Sequence, residues 1–228
     1  MNLFEQVGFL FSSYNIPAAF WVNIQLTFWA AIGALVLGTA LGVMRVSPVP
    51  SLRWLGTSYV TIFRNTPLTV IMLFGVLGVW SQLKITFSQD FTVNFFIYAV
   101  VGLGLYHAAF VCEAVRSGIN TVPLGQAEAA RAIGLPFIPA ARLVLLPQAF
   151  RGAVAPLGNV LIALIKNSTV AAAASVATET SSVMRAMIDQ NGNLVVLIFM
   201  IFAVGYVILV VPVGVLTTSL SRKLAVSR

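Results

Sequence analysis

Charge is scarce in this chain. Only 8% of its 228 residues are Asp, Glu, Lys or Arg, while 59% are hydrophobic; a soluble domain carries about 25% charged residues. That deficit excludes an ordinary water-soluble domain and points to an integral membrane protein. Cys112 is the sole cysteine, so no intrachain disulfide can form. His107 is the sole histidine. Cys112 and Glu113 follow it by five and six positions, a spacing that does not put three metal ligands on one helix face, so packing roles are assigned to His107 and Cys112. Lysine is limited to Lys84, Lys166 and Lys223, and none follows a glycine. A phosphate-cradling loop needs Gly-Lys-Ser/Thr, so the usual ATP site is excluded. No converging catalytic set stands in the sequence, which reads as a non-enzyme without a cofactor or metal. The net charge of +7 does not argue for nucleic acid, because the basic residues sit at the ends of apolar runs and report membrane orientation instead. The start, MNLFEQVGFLF, has neither a basic stretch nor a cleavage site and is expected to be mature sequence rather than a signal peptide.

What is present is hydrophobic length. Residues 1–228 read as one membrane domain with five spans: about 21–44, 58–80, 91–112, 152–187 (interrupted near 166–169) and 194–216. Residues 1–20 contain Pro17 and are expected to form a short interfacial helix. Ala34, Gly38 and Gly42 recur every four residues, a stripe suited to close helix packing. Trp21, Trp29, Trp54 and Trp80 stand near span ends and read as interfacial anchors. Five spans put the termini on opposite sides. With the N-terminus outside, the inner segments hold Arg45, Arg53, Arg64, Arg116, Arg131, Arg142, Arg151, Arg222, Lys223 and Arg228, which is ten of the thirteen basic residues. Lys84, Lys166 and Arg185 are left outside, so the positive-inside rule selects an outer N-terminus and a cytoplasmic C-terminus.

The longest polar interruption is the cytoplasmic loop 113–151, whose centre reads GQAEAARAIGLPFIPAARLVLLPQAFR. Gln126 to Ile133 is rich in helix formers. Gly134 stops that helix, placed at about 125–134, with φ expected to be positive, and Pro136 and Pro139 prevent its continuation. Ala127, Ala130 and Ile133 are expected on one face, with Glu128 and Arg131 beside it. Glu113 is expected to organise the start of the loop against Arg116 at i+3.

The spacing Glu128-Ala129-Ala130-x3-Gly134-x9-Val144-x-Leu146-Pro147 resembles the E-A-A-x3-G-x9-I-x-L-P loop of ABC-importer permeases, with Val144 in the isoleucine position. Arg64-Asn65-Thr66-Pro67-Leu68, Glu113 with the run from Arg116 to Ile119, Gly125-Gln126, Leu146-Pro147-Gln148-Ala149, Asn159 and Lys166-Asn167-Ser168-Thr169 extend the resemblance to permeases for polar amino acids, and most closely to actinobacterial glutamate importers. The resemblance implies an all-α, type I ABC importer permease fold with five transmembrane helices in the bacterial cell membrane. It implies coupling to a separate ATPase through Gly125, Gln126, Glu128, Ala129, Ala130, Gly134, Leu146 and Pro147. The partners it implies are two ABC ATPase subunits, a second and paralogous permease chain, an extracytoplasmic amino acid-binding protein and membrane lipid. An autonomous secondary transporter is the alternative, although the chain offers few acids for internal ion sites.

Lys166 lies fifteen residues beyond Arg151, about 22 Å along a helix. At that depth a cation is costly and commonly functional. It reads either as a counter-ion for a substrate carboxylate, lining a pathway with Asn159, Asn167 and Thr169, or as half of a structural ion pair.

Overall fold

The computed structural model describes residues 2–224, and every regular element among them is helical. In chain order these are α1 (Leu3–Ser13), α2 (Ile16–Val46), α3 (Pro50–Asn65), α4 (Leu68–Leu73, continued by a wider π-helical stretch Phe74–Gln82), α5 (Phe91–Ile119), α6 (Leu124–Ala132), α7 (Phe137–Ala140), α8 (Leu146–Asn167), α9 (Thr180–Gln190) and α10 (Val195–Leu224). Arg228, assigned above to the inner side, lies outside the described residues.

Local chemistry sets the helix starts. Asn2 and Glu5 form a capping box on α1. Asn15 Oδ1 accepts from the Ala18 amide at 3.1 Å, and Asp90 Oδ1 accepts from the amides of Thr92 and Val93 at 2.7 and 3.1 Å. Each bond satisfies a first-turn donor that has no intrahelical partner. Pro50 occupies the start of α3, where its missing N–H costs nothing.

Among the described residues, four helical segments are long and apolar enough to cross a membrane: Ile16–Val46, Phe91–Ile119, Phe137–Ala174 and Gly192–Leu224. Over 58–80, where one span is expected, the chain forms two helices, α3 and α4, broken at Thr66–Pro67; the pair makes a fifth span where it crosses as one. Pro67 explains the break. It drives Thr66 into extended backbone (φ −100°, ψ 128°), where α3 ends. Asn65 Nδ2 and Thr66 Oγ1 then donate to the carbonyls of Thr61 and Ile62, each at 2.8 Å, supplying partners for the last turn. The Arg-Asn-Thr-Pro-Leu motif is thus a helix-stop-and-turn device. The expected interruption near 166–169 is also present: α8 ends at Asn167, a tighter 3-10 stretch runs Ser168–Ala174, and Ser175 closes it at φ +63°.

Contacts divide the chain into two units, the first Met1–Ala30, Leu68–Leu103 and Leu164–Val211, the second Ala31–Pro67, Gly104–Ala163 and Pro212–Arg228. In the first, Leu10, Ile16, Met187, Ile198 and Phe202 form the core. Tyr14 OH donates to Gln190 Oε1 at 2.8 Å and accepts from Asn191 Nδ2 at 2.9 Å, fastening the end of α1 to the end of α9. Trp80 packs edge-on against Phe91 and Phe95, while Trp21 and Trp29 are exposed. In the second unit, Ala34, Leu41, Val60, Ala108, Ala109, Val111, Cys112 and Val115 cluster. Here the small-residue stripe of α2 meets α5: a Cβ on Gly38 would stand 2.6 Å from Val111 Cβ and 2.7 Å from the Ala108 carbonyl oxygen. Cys112 and His107 are both buried, and no group of three potential metal ligands occurs among the described residues.

Candidate functional site

The polar loop folds as a short helix held by a turn. Helix α6 ends in a Schellman arrangement: the Gly134 amide donates to the Arg131 carbonyl at 2.9 Å and the Leu135 amide to the Ala130 carbonyl at 3.0 Å. Gly134 takes φ +81°, the left-handed value that this turn demands and that glycine adopts without a Cβ penalty. Pro136 then begins a new direction into α7. Before α8 the helix widens to π geometry over Ala141–Leu145, with the Leu146 amide donating to the Ala141 carbonyl. Pro147 is the cause, since it has no N–H to offer the Leu143 carbonyl. Gln148 Nε2 caps the neighbouring Val144 carbonyl at 3.0 Å.

The expected grouping of Ala127, Ala130 and Ile133 on one outward face does not hold. Ala130 is 3% exposed and turned into its own chain, so close approach of a partner cannot depend on it. Ile133 is 78% exposed and Leu124, at the other end of α6, is 82% exposed. Gly125, Gln126, Glu128, Ala129 and Arg131 are exposed with them. Leu146 is half-buried against the core of the second unit, which makes it an internal support of the loop; Pro147 is exposed. Leu124 does not stand among the residues singled out from the sequence, although a large apolar residue at each end of a polar helix is the signal that marks it together with Ile133.

The loop is anchored on α5. Glu113 Oε2 accepts from Arg116 Nε at 3.1 Å, the i+3 pair expected. Glu113 Oε1 is also bound by Arg45 and lies 3.7 Å from Arg64 Nη1, two partners that spacing did not reveal. Near the end of α5, Gly118 faces Ala149, and a Cβ there would also stand 2.9 Å from Ala153 Cβ. The Arg-Ser-Gly-Ile and Leu-Pro-Gln-Ala runs are therefore packing partners at the two bases of the loop.

In the first unit, Lys166 is exposed and makes no salt bridge among the described residues. The structural ion pair is therefore not formed within the described chain. Thr169 Oγ1 donates to the Lys166 carbonyl at 2.9 Å; Asn167 is half-buried, and Asn159, earlier on α8, is exposed. The buried acid of this region is Glu179, which is 0% exposed. It caps α9, accepting from the amides of Ser181 and Ser182 at 2.8 and 2.6 Å. Asn23 Nδ2 donates to Ser168 Oγ at 2.8 Å and Tyr206 OH at 3.0 Å, while Asn23 Oδ1 accepts from the Thr180 amide at 2.9 Å. This cluster ties the broken helix to α2 and α10. It leaves Ser168 internal and Lys166 and Thr169 outside it.

Residues 34–226 match the model of a family described as the binding-protein-dependent transport system inner membrane component. The chain belongs to that family. It is 49% identical over 219 residues to the glutamate transport system permease protein GluC of Corynebacterium glutamicum, covering 94% of this chain and 96% of that one. It is 39% identical over 166 residues to the glutamate/aspartate import permease protein GltJ of Escherichia coli K12, covering 68% and 66%. Its fold is similar to that of an amino acid ABC transporter crystallised with histidines, with a TM-score of 0.76 at 25% identity over 98% of this chain and 99% of the other. The MetNI methionine ABC transporter shares the fold, with a TM-score of 0.71 at 21% identity over 91% and 95% of the two chains.

Membership makes the chain an ABC importer permease of the bacterial plasma membrane and a non-catalytic subunit, ATP hydrolysis belonging to a separate ATPase. It removes the alternative of a self-contained secondary transporter. The family implies an ATPase, a binding protein and a paralogous permease as partners.

Proposed function

We propose that this permease serves an importer of glutamate or a closely related polar amino acid. The observation that carries the reading is identity of 49% and 48% over 219 residues to two permeases named for glutamate transport, against 39% and 32% to permeases named for arginine and glutamine. Likeness over the whole chain matters here because the loop motifs do not touch the substrate side chain.

The N-terminus is outside and the C-terminus cytoplasmic. Charge supports this orientation. The described members of the ten basic residues assigned to the inner side all fall in the second unit, while Lys84, Lys166 and Arg185 fall in the first. The acids are distributed oppositely, Glu113 and Glu128 in the second unit and Glu5, Asp90, Glu179 and Asp189 in the first. The separation of the basic residues is what the positive-inside rule produces, to which acids contribute little.

Helix α6 is the coupling helix. Its exposed Leu124, Glu128, Ala129, Arg131 and Ile133 supply the contact to one of two ATPase subunits, and Gly134 fixes its angle. ATP-driven closure of the ATPases moves this helix and switches the paired permeases between outward and inward access. Lys166, exposed beside a helical break and without an acid partner among the described residues, neutralises a substrate carboxylate on a path with Asn167 and Thr169. The reading is tested by uptake of labelled amino acids in a strain lacking this gene. Glutamate uptake is expected to fall and to return on complementation. Loss of arginine or glutamine uptake with glutamate uptake intact would overturn it.

A further inference from the structure

The coupling reading leaves one charge cluster of the second unit unused. Glu113 is shared by Arg45, Arg64 and Arg116, and no other acid among the described residues forms a salt bridge with these arginines. One carboxylate among three guanidinium groups leaves two positive charges unneutralised. The three arginines are not equivalent. The Arg45 side chain is 13% exposed and committed to Glu113, whereas Arg64 is 48% exposed and reaches Glu113 only at 3.7 Å. The Arg64 guanidinium is steadied over the Phe110 ring at 5.6 Å.

Beside the cluster lies a polar recess of about 320 Å³, lined by Arg45, Val60, Thr61, Arg64, Asn65 and Glu113. Asn65 Nδ2 spends one of its two N–H donors on the Thr61 carbonyl and keeps the other. The Arg64 fork and the Thr61 hydroxyl add donors that form no hydrogen bond among the described residues. A guanidinium fork with surplus positive charge matches a planar carboxylate or a phosphate, which it binds through two parallel hydrogen bonds. The same helix, α3, exposes Trp54, Leu55 and Ile62, apolar surface able to accompany an acyl chain.

We infer that this recess is an oxyanion-binding subsite with Arg64 as its principal ligand. Two sources present that chemistry: the phosphate of an acidic phospholipid and the carboxylate of an amino acid substrate. The subsite rests on the proposed function for the leaflet, cytoplasmic, in which it lies and for glutamate as the substrate probe.

The test uses the complete transporter, permeases with ATPases, in nanodiscs. Phosphatidylglycerol retained per complex is measured in phosphatidylcholine–phosphatidylglycerol discs, and glutamate binding is measured by calorimetry in discs of phosphatidylcholine alone. Removing one arginine beside an anionic group weakens binding about fivefold. Arg64→Gln is expected to show that loss for one of the two probes, with Arg64→Lys recovering part of it and added salt shrinking the difference. Thr61→Asp, which fills the recess with negative charge while keeping every arginine, is expected to act in the same direction and carries the test should Arg64→Gln fail to assemble. A loss confined to phosphatidylglycerol identifies the lipid as the source; a loss confined to glutamate identifies the substrate. Unchanged retention of both probes by Arg64→Gln and Thr61→Asp, or binding of neither by the unaltered complex, overturns the subsite. A complex that retains phosphatidylglycerol through Arg64 yet imports no glutamate would sink the substrate reading alone.

Discussion

Gly134→Val isolates the contribution of a single backbone angle. The native residue sits at φ +81° with nothing within 4 Å of the position a Cβ would take. The substitution meets no steric neighbour, and its cost is therefore conformational. An L-residue in the left-handed region costs roughly 1–2 kcal/mol, and a branched Cβ adds to it. At about 1.4 kcal/mol per factor of ten, the equilibrium constant between the native turn and its alternatives falls by roughly 5–30-fold. The turn also carries the bonds from the Gly134 and Leu135 amides to the Arg131 and Ala130 carbonyls, so α6 loses its C-terminal cap as it reorients. Gly134 lies outside every candidate span, so membrane abundance is expected to stay normal. Uptake is expected to drop about tenfold, through weaker ATPase association or hydrolysis uncoupled from transport, in proportion to the lost turn population. Gly134→Asn is expected to be intermediate, because Asn tolerates this region. Abundance, ATPase pull-down, hydrolysis and uptake measured on the same variants separate these outcomes. Normal uptake by Gly134→Val and by Glu128→Lys, at normal abundance, would refute the assignment of α6 as the mechanical link.

Reporter fusions within residues 113–151 and after Arg222 are expected to be cytoplasmic and one near residue 85 external; an external reporter in the loop would sink both the orientation and the docking. Lys166→Met is expected to reduce uptake while leaving assembly with the ATPase intact, and unchanged uptake kinetics would dispose of the counter-ion role. Glu113→Gln strips the shared carboxylate from three arginines, one of them largely buried, and the loss of a charge-assisted bond is worth about 1.5–3 kcal/mol. It should appear as a lowered unfolding temperature in detergent. The Arg45→Met/Glu113→Gln double variant should lose less than the two single variants together.

The second span shows how a local signal places a break without fixing the path on either side of it. Arg64 to Leu68 is visible as a motif containing a proline, and the proline does act there, ending α3 and letting α4 begin within the same span-length segment. A proline's effect on its own turn is local; the angle between the helices it separates depends on what each packs against. The same limit applies to α6. Its existence, its stop at Gly134 and the left-handed glycine follow from helix propensity and turn chemistry within ten residues. Which face it buries does not, and Ala130 proved to be the inward residue, with Leu124 and Ile133 outward.

By itself the sequence determined the helical, membrane-embedded class, the polar loop and its stop signal, the packing stripe of α2 and the asymmetry of basic charge. These depend on transfer energies and hydrogen bonds between residues a few positions apart. Only the tertiary structure decided which distant polar groups meet. Arg45 and Glu113 are separated by 68 positions, and Asn23 and Glu179 by 156. Wherever water is partly or wholly excluded those groups must find one another, because an unpaired buried polar group is costly, yet nothing in the spacing of either residue names its partner.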